Sequence, residues 1–340
     1  LGGWGLGRSS YLCTGAFRIF EEIGRADSAM AVAMAVVFWP LLMICVEPHL
    51  NRRLCEEFAP MFVNTTEPVF AANAMTEPQG GSDIETTATL DGDEWVINGH
   101  KLWPTNSGGV ADLFGVVCTT RRGSTDPKDF AFIFVPADAP GCTQSGPYRK
   151  AGMAADKNGD IWFENVRVPA WYRACGPGED LRYFKEMVAM GNLLTVSFVV
   201  GPMMNAYEIM RDACSELKFR GRPLKENDDA AGVLADIAAA TEIVRVSGYH
   251  LARMMDKQDL YGPRWSDEMV AKARLYKYYA CDRALEVLSA AMRLLGAYGS
   301  DRERDVEKHW RDVKICQLWL GGKQLGQMEV ARWFYDCETL

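Results

Sequence analysis

The sequence predicts an α+β protein: an N-terminal helical domain, a central antiparallel β-barrel-like domain and a C-terminal antiparallel four-helix bundle. Three observations carry this. Apolar residues keep helical spacing to about residue 60, short β-rich runs between Gly, Pro and Asn turns fill about 70–175, and long amphipathic stretches return from about 180. No strand–helix–strand alternation occurs, which argues against a doubly wound parallel sheet. Domain boundaries are therefore expected at 1–68, 69–178 and 179–340. Of the 340 residues, 48% are apolar or aromatic and 24% charged, enough to build a large core. The 37 Lys and Arg against 45 Asp and Glu leave a net charge of −8, and no basic run offsets it. A nucleic-acid partner is not expected.

Taken in order, Leu1-Gly2-Gly3-Trp4-Gly5 reads as a glycine-rich loop and not a leader peptide, as if the chain opened inside its first domain. Phe17, Ile19, Phe20 and Ile23 mark a first helix. Residues 29–46 carry no charge over eighteen positions, but Pro40 interrupts them and no basic cluster flanks them. A buried helix pair broken near Trp39-Pro40 is expected there, not a membrane span. In the β zone, runs at 94–97, 113–117, 130–135 and 161–163 read as strands, and Asn98-Gly99 predicts a tight hairpin pairing 95–97 with 100–103. Farther on, 230–255 and 267–295 read as long antiparallel helices joined around Tyr261-Gly262-Pro263. Ser266 is placed to cap the second, and Gly296 and Gly299 to end it. The ten cysteines and four histidines show no C-x-x-C or other metal-ligand spacing. The cysteines read as reduced core residues of a cytoplasmic protein.

Within the β zone, Ala74-Met75-Thr76-Glu77-Pro78-Gln79-Gly80-Gly81-Ser82-Asp83 precedes Asn98-Gly99-His100-Lys101-Leu102-Trp103-Pro104-Thr105-Asn106. Together with Gly296-Ala297-Tyr298-Gly299, the stretch 306–315 and Gln317-Leu318-Trp319-Leu320-Gly321, this pattern resembles the acyl-CoA dehydrogenase family over nearly the whole chain, with the family's first helices missing from the start. The resemblance implies helices at both ends of a β-domain, a tetramer (a dimer of dimers) and FAD at subunit boundaries. It implies that residues 29–46 border an acyl pocket. By family position, Met75 and Thr76 would meet the isoalloxazine, Gly81 and Ser82 the diphosphate, and Trp103 and Thr105 the flavin N5 side. The chemistry is apt in its own right: glycine lets backbone N–H groups approach a diphosphate, hydroxyls bond a flavin's polar edge, and an indole offers a face.

The sequence also departs from the family. Removing an α-proton from an acyl thioester while flavin takes the β-hydride needs a base. The two positions from which the family draws its glutamate hold Leu320 and Gly191, so no catalytic residue is assigned. Glu186 reads as a solvated helix charge. Leu217 stands where the family has an arginine reaching a neighbouring FAD diphosphate, with Lys218, Arg220 and Arg222 around it. Arg293 replaces a family glutamine and offers a compensating cation. Gly296 and Gln324 keep their places near the cofactor. Asn192 replaces a family arginine. The resemblance implies an FAD-dependent oxidoreductase acting on an acyl-CoA, with electrons passed to an electron-transfer flavoprotein. The alternatives are a base-lacking subunit of a heteromeric acyl-CoA dehydrogenase, or a flavin monooxygenase or oxidase of the same fold.

Overall fold

The structure, a computed structural model, describes residues 11–80 and 83–335. The described chain groups into two compact units. One comprises Val32–Arg149 and Ala155–Met187; the other comprises 11–31, Lys150–Ala154 and 188–335. These boundaries cut across the compositional zones, falling inside two helices.

The first unit holds most of α2 (Ser28–Ile44), α3 (Arg52–Val63) and seven strands. The α2 helix runs through Pro40 unbroken, which corrects the expected break at Trp39-Pro40. An interior proline costs a hydrogen-bond rung and about 3 kcal/mol. Burial of Ala35, Leu41 and Ile44 along the helix offsets that loss. Asn51 caps α3 by accepting the Leu54 N–H at 3.2 Å.

The strands are β1 (Ala71–Ala74), β2 (Thr87–Asp91), β3 (Glu94–Leu102), β4 (Leu113–Thr119), β5 (Phe130–Pro136), β6 (Cys142–Gln144) and β7 (Asp160–Pro169). Their order is β1-β4-β2-β3-β7-β6, with β5 also paired to β4. β2·β3, β3·β7, β6·β7 and β4·β5 are antiparallel as expected, whereas β1 and β2 each pair with β4 in parallel. β4 is buried along its whole length, as a continuous apolar run flanked on both sides should be.

The hairpin expected at Asn98-Gly99 is elsewhere. Asp91-Gly92-Asp93-Glu94 makes the turn from β2 to β3, with Gly92 at φ +65°. Asn98-Gly99 lies within β3 at a bulge, where the register with β7 shifts. Gly99 is required by crowding and not by a left-handed φ: a Cβ there would fall 2.3 Å from the Thr86 hydroxyl oxygen. Asn98 is held across the sheet, its Oδ1 accepting the Asn165 N–H at 2.8 Å.

The second unit is helical. It contains α1 (Leu12–Ala26), the larger part of α4 (Glu179–Glu216), a hairpin of β8 (Lys218–Phe219) and β9 (Arg222–Pro223), α5 (Asp228–Asp256), α6 (Gln258–Tyr261), α7 (Asp267–Leu295), α8 (Val306–Leu318) and α9 (Gly322–Tyr335). The helix ends follow the sequence signals: Ser266 accepts the Met269 N–H, and Gly296 closes α7 at φ +60°. α1 approaches α4 so closely that a Cβ on Gly201 would lie 2.3 Å from the Arg25 nitrogen. Glu21, buried on α1, accepts Arg245 and Tyr249 from α5. Among the described residues, α4 is the one helix long and apolar enough to cross a membrane. Its most apolar eighteen-residue window is 94% buried inside the protein, the mark of a core helix.

Candidate functional site

A buried ion pair organises the loop after β1. Lys101, on β3 and fully buried, donates through Nζ to Glu77 Oε1 at 2.7 Å and to the Met75 carbonyl at 3.1 Å. Glu77 also accepts the backbone N–H groups of Thr86 and Glu85 at 2.9 and 2.7 Å and the Gln79 side chain at 2.6 Å. Burial by itself would raise the Glu77 pKa, but the Lys101 charge and these donors outweigh it and hold the carboxyl at about 2. For Lys101 burial dominates and draws the ammonium below its usual range despite Glu77. Their 2.7 Å contact and the Glu77 donor set favour the ionised pair. The sequence contained both residues inside its motifs, yet no periodicity marked them as partners.

This staple and one main-chain bond, Leu102 N–H to the Thr76 carbonyl at 3.0 Å, set the loop beside the end of β3. Four of the expected cofactor residues, Met75, Thr76, Trp103 and Thr105, thereby lie on two adjoining segments. Thr76 is exposed, Met75 and Thr105 are half-buried, and Trp103 is 52% exposed. The indole's position comes from its backbone. Trp103 sits at φ +69°, its N–H donates to the Gly159 carbonyl at 3.1 Å, and its carbonyl accepts from Asn158 at 2.8 Å. A left-handed tryptophan costs on the order of 1–3 kcal/mol, so the surrounding bonds must over-determine it. Tyr148 lies against the ring at 4.3 Å between centroids and donates to Asp160 at 2.6 Å. The buried Asn106, also left-handed at φ +68°, donates to the Ala33 and Ala71 carbonyls and anchors the following turn.

Gly81 and Ser82, the expected diphosphate ligands, lie outside the described residues. In the helical unit, Arg293 is exposed in the last turn of α7, Gly296 donates its N–H to the Arg293 carbonyl, and Gln324 is exposed on α9. The hairpin 218–223 turns on Arg220 and Gly221, both left-handed, and exposes Lys218, Arg220 and Arg222.

Leu320 stands at φ +50° between α8 and α9, followed by Gly321 and Gly322 at +84° and +63°. Arg274 donates to the Leu320 carbonyl at 2.7 Å, and Lys277 to the Trp319 carbonyl at 2.6 Å, so two cations of α7 fix this corner. Gly191 is buried within α4 beside Asn192, whose Nδ2 donates to the Val188 carbonyl at 2.7 Å. Glu186 is not the solvated charge that the sequence suggested: it is fully buried and lies 2.9 Å from His49 Nε2. An isolated buried carboxylate is costly, and an imidazole partner 137 positions away cannot be read from helical spacing.

Comparison with known proteins gives a consistent result. Residues 72–166 match the acyl-CoA dehydrogenase middle domain, and residues 180–334 match the acyl-CoA dehydrogenase C-terminal domain. The chain is 30% identical to cyclohexane-1-carbonyl-CoA dehydrogenase of Geobacter metallireducens, over 97% of this chain and 83% of that protein. This chain belongs to the acyl-CoA dehydrogenase family. The Syntrophus aciditrophicus cyclohexane-1-carbonyl-CoA dehydrogenase is 29% identical over 96% of the chain and 81% of its own length. The fold likewise matches butyryl-CoA dehydrogenase of Megasphaera elsdenii, with a TM-score of 0.82 at 23% identity over 93% of this chain and 80% of that one. The α+β architecture is that of the acyl-CoA dehydrogenases, and the family's chemistry is oxidoreduction on acyl-CoA substrates.

Proposed function

We propose that this acyl-CoA dehydrogenase family member binds FAD and catalyses α,β-dehydrogenation of an acyl-CoA thioester. It would pass the electrons to an electron-transfer flavoprotein and work in the cytoplasm within a tetramer of like or unlike subunits. The observation that carries the reading is the platform of Met75, Thr76, Trp103 and Thr105, an exposed indole and hydroxyl held in place by buried bonds. Its donor chemistry fits a flavin: hydroxyl and backbone groups for the ring's polar edge, an aromatic face for its plane. Gly81 and Ser82 would hold the diphosphate, while Arg293 would offer a cation to the diphosphate of a neighbouring subunit's FAD, with Gly296 and Gln324 near that cofactor, Gln324 toward its adenylate half. Bound there, FAD would supply the hydride acceptor.

Proton abstraction is where this chain differs. Leu320 and Gly191 carry no group that accepts a proton. Glu186, fully buried and paired with His49, is not poised to serve instead. Leu320 therefore favours a second reading, a subunit that holds flavin while an unlike partner brings the carboxylate.

The test has two stages. Protein incubated with FAD and desalted should keep flavin's visible absorbance. Anaerobic acyl-CoAs of graded chain length should then bleach it in Leu320→Glu more than in the parent, since Glu at that position restores a base. Failure to retain FAD sinks the cofactor assignment. Retention without bleaching by any acyl-CoA, in parent or variant, sinks the dehydrogenase.

A further inference from the structure

Away from the flavin platform, where α2 passes into α3, two thiols lie in contact. Cys45 Sγ and Cys55 Sγ lie 3.3 Å apart, and Cys55 Sγ is 3.1 Å from the Ile44 carbonyl oxygen. That carbonyl also accepts the Asn51 N–H at 2.9 Å, which draws the end of α2 against the first turn of α3. Asn51 is tied on its other side, through Nδ2, to the Ala174 carbonyl at 2.9 Å. The two sulfurs are thus held together by a pinned nine-residue connection, 46–54, and not by chance apposition of mobile loops. A disulfide needs about 2.05 Å between sulfurs, so the 3.3 Å contact leaves little more than about 1 Å to close.

We propose that Cys45 and Cys55 form a redox-active dithiol, oxidised to a disulfide by exchange with low-molecular-weight disulfides of the glutathione class. The roles of the two sulfurs differ. Cys45 is partly exposed and Cys55 is 4% exposed, so Cys45 meets the oxidant first. The hydrogen bond from the Cys55 thiol lowers the Cys45 pKa against the opposing effect of burial. The Cys45 thiolate attacks one sulfur of the incoming disulfide, that S–S bond breaks, and one thiolate leaves with the proton Cys45 gave up. Cys55 then surrenders its proton and attacks Cys45 within the mixed disulfide, expelling the second small thiol. Two protein thiols are oxidised and one small disulfide is reduced to two thiols. The inference is independent of the flavin reading.

Trypsin separates the partners cleanly. Cleavage at Arg25, Arg52, Arg53 and Lys101 leaves Cys45 alone on 26–52 and Cys55 alone on 54–101. The folded full chain is treated with oxidised glutathione, quenched with an alkylating agent, digested and analysed by mass spectrometry without reduction. The expected result is a cross-linked 26–52/54–101 pair that disappears on reduction. In Cys55→Ser the glutathione adduct should instead accumulate on 26–52, several-fold above the parent. Two results would overturn the proposal: both peptides alkylated at every oxidant concentration, or an adduct on Cys45 in the parent as abundant as in Cys55→Ser.

Discussion

Glu77 uses both carboxylate oxygens on its own loop and on Lys101, so neither residue is free for chemistry, and their work is to hold Thr76 and Trp103 in place. Breaking one side of a buried pair leaves the other charge uncompensated, at a cost of about 3–5 kcal/mol. Lys101→Met should lower stability by that order in urea denaturation. Adding Glu77→Gln should recover part of the loss; purely additive losses would mean the two residues act independently. Trp103 separates platform from scaffold. Trp103→Gly removes a left-handed side chain, so stability should stay within about 1 kcal/mol of the parent or rise. FAD binding should weaken by roughly tenfold, the loss expected for one aromatic contact. A large drop in stability with unchanged FAD affinity would count against the assignment. These residues were legible as motif letters, whereas their partners were not. Glu186 shows the limit: helix position suggested solvent, and only the fold brings His49 to it.

At the scale of elements, the lesson lies in Asn98-Gly99 and Pro40. Each dipeptide or ring carries a real local preference, and each was overruled by what packs around it. The strand positions, the α5 and α7 limits and the Ser266 cap were readable because apolar period and capping chemistry agree there. The bulge was not, because Gly99 answers to Thr86 from another strand. A methyl group at 99 would overlap that side chain, so Gly99→Ala should cost about 1–3 kcal/mol. Gly92→Ala meets no atom within 4 Å and should cost only about 1 kcal/mol, through its positive φ. Thermal melts of the two variants check the order; a larger loss at 92 would count against crowding by Thr86 as the reason for Gly99.

For the whole molecule, acid should act in two stages. His309 is fully buried on α8, and neither ring nitrogen has a hydrogen-bond partner among the described residues. Burial first, then the Lys308 charge, pushes its pKa down to about 4 from 6.5. The unfolded chain takes up that proton below about pH 6.5 while the native state refuses it until about 4, so stability falls through this window by about 3 kcal/mol. Glu77, held at about 2 against an ordinary 4.5, contributes stability that is full above 4.5 and lost as pH falls toward 2. His309→Leu should flatten the first stage and leave the second; parallel curves for parent and variant between pH 6.5 and 4 would refute the account. Another whole-molecule consequence follows from α4. Its eighteen-residue apolar window is hidden partly by residues encoded after it, such as Trp319, which donates to Thr195 at 3.0 Å, and Gly248, which packs near Val196. While the ribosome is still making residues beyond 216, that stretch lacks part of its shelter. During those seconds the nascent chain carries the hydrophobic signature of a membrane protein. Yield in a cell should therefore depend on holdase chaperones far more than the finished protein's stability implies.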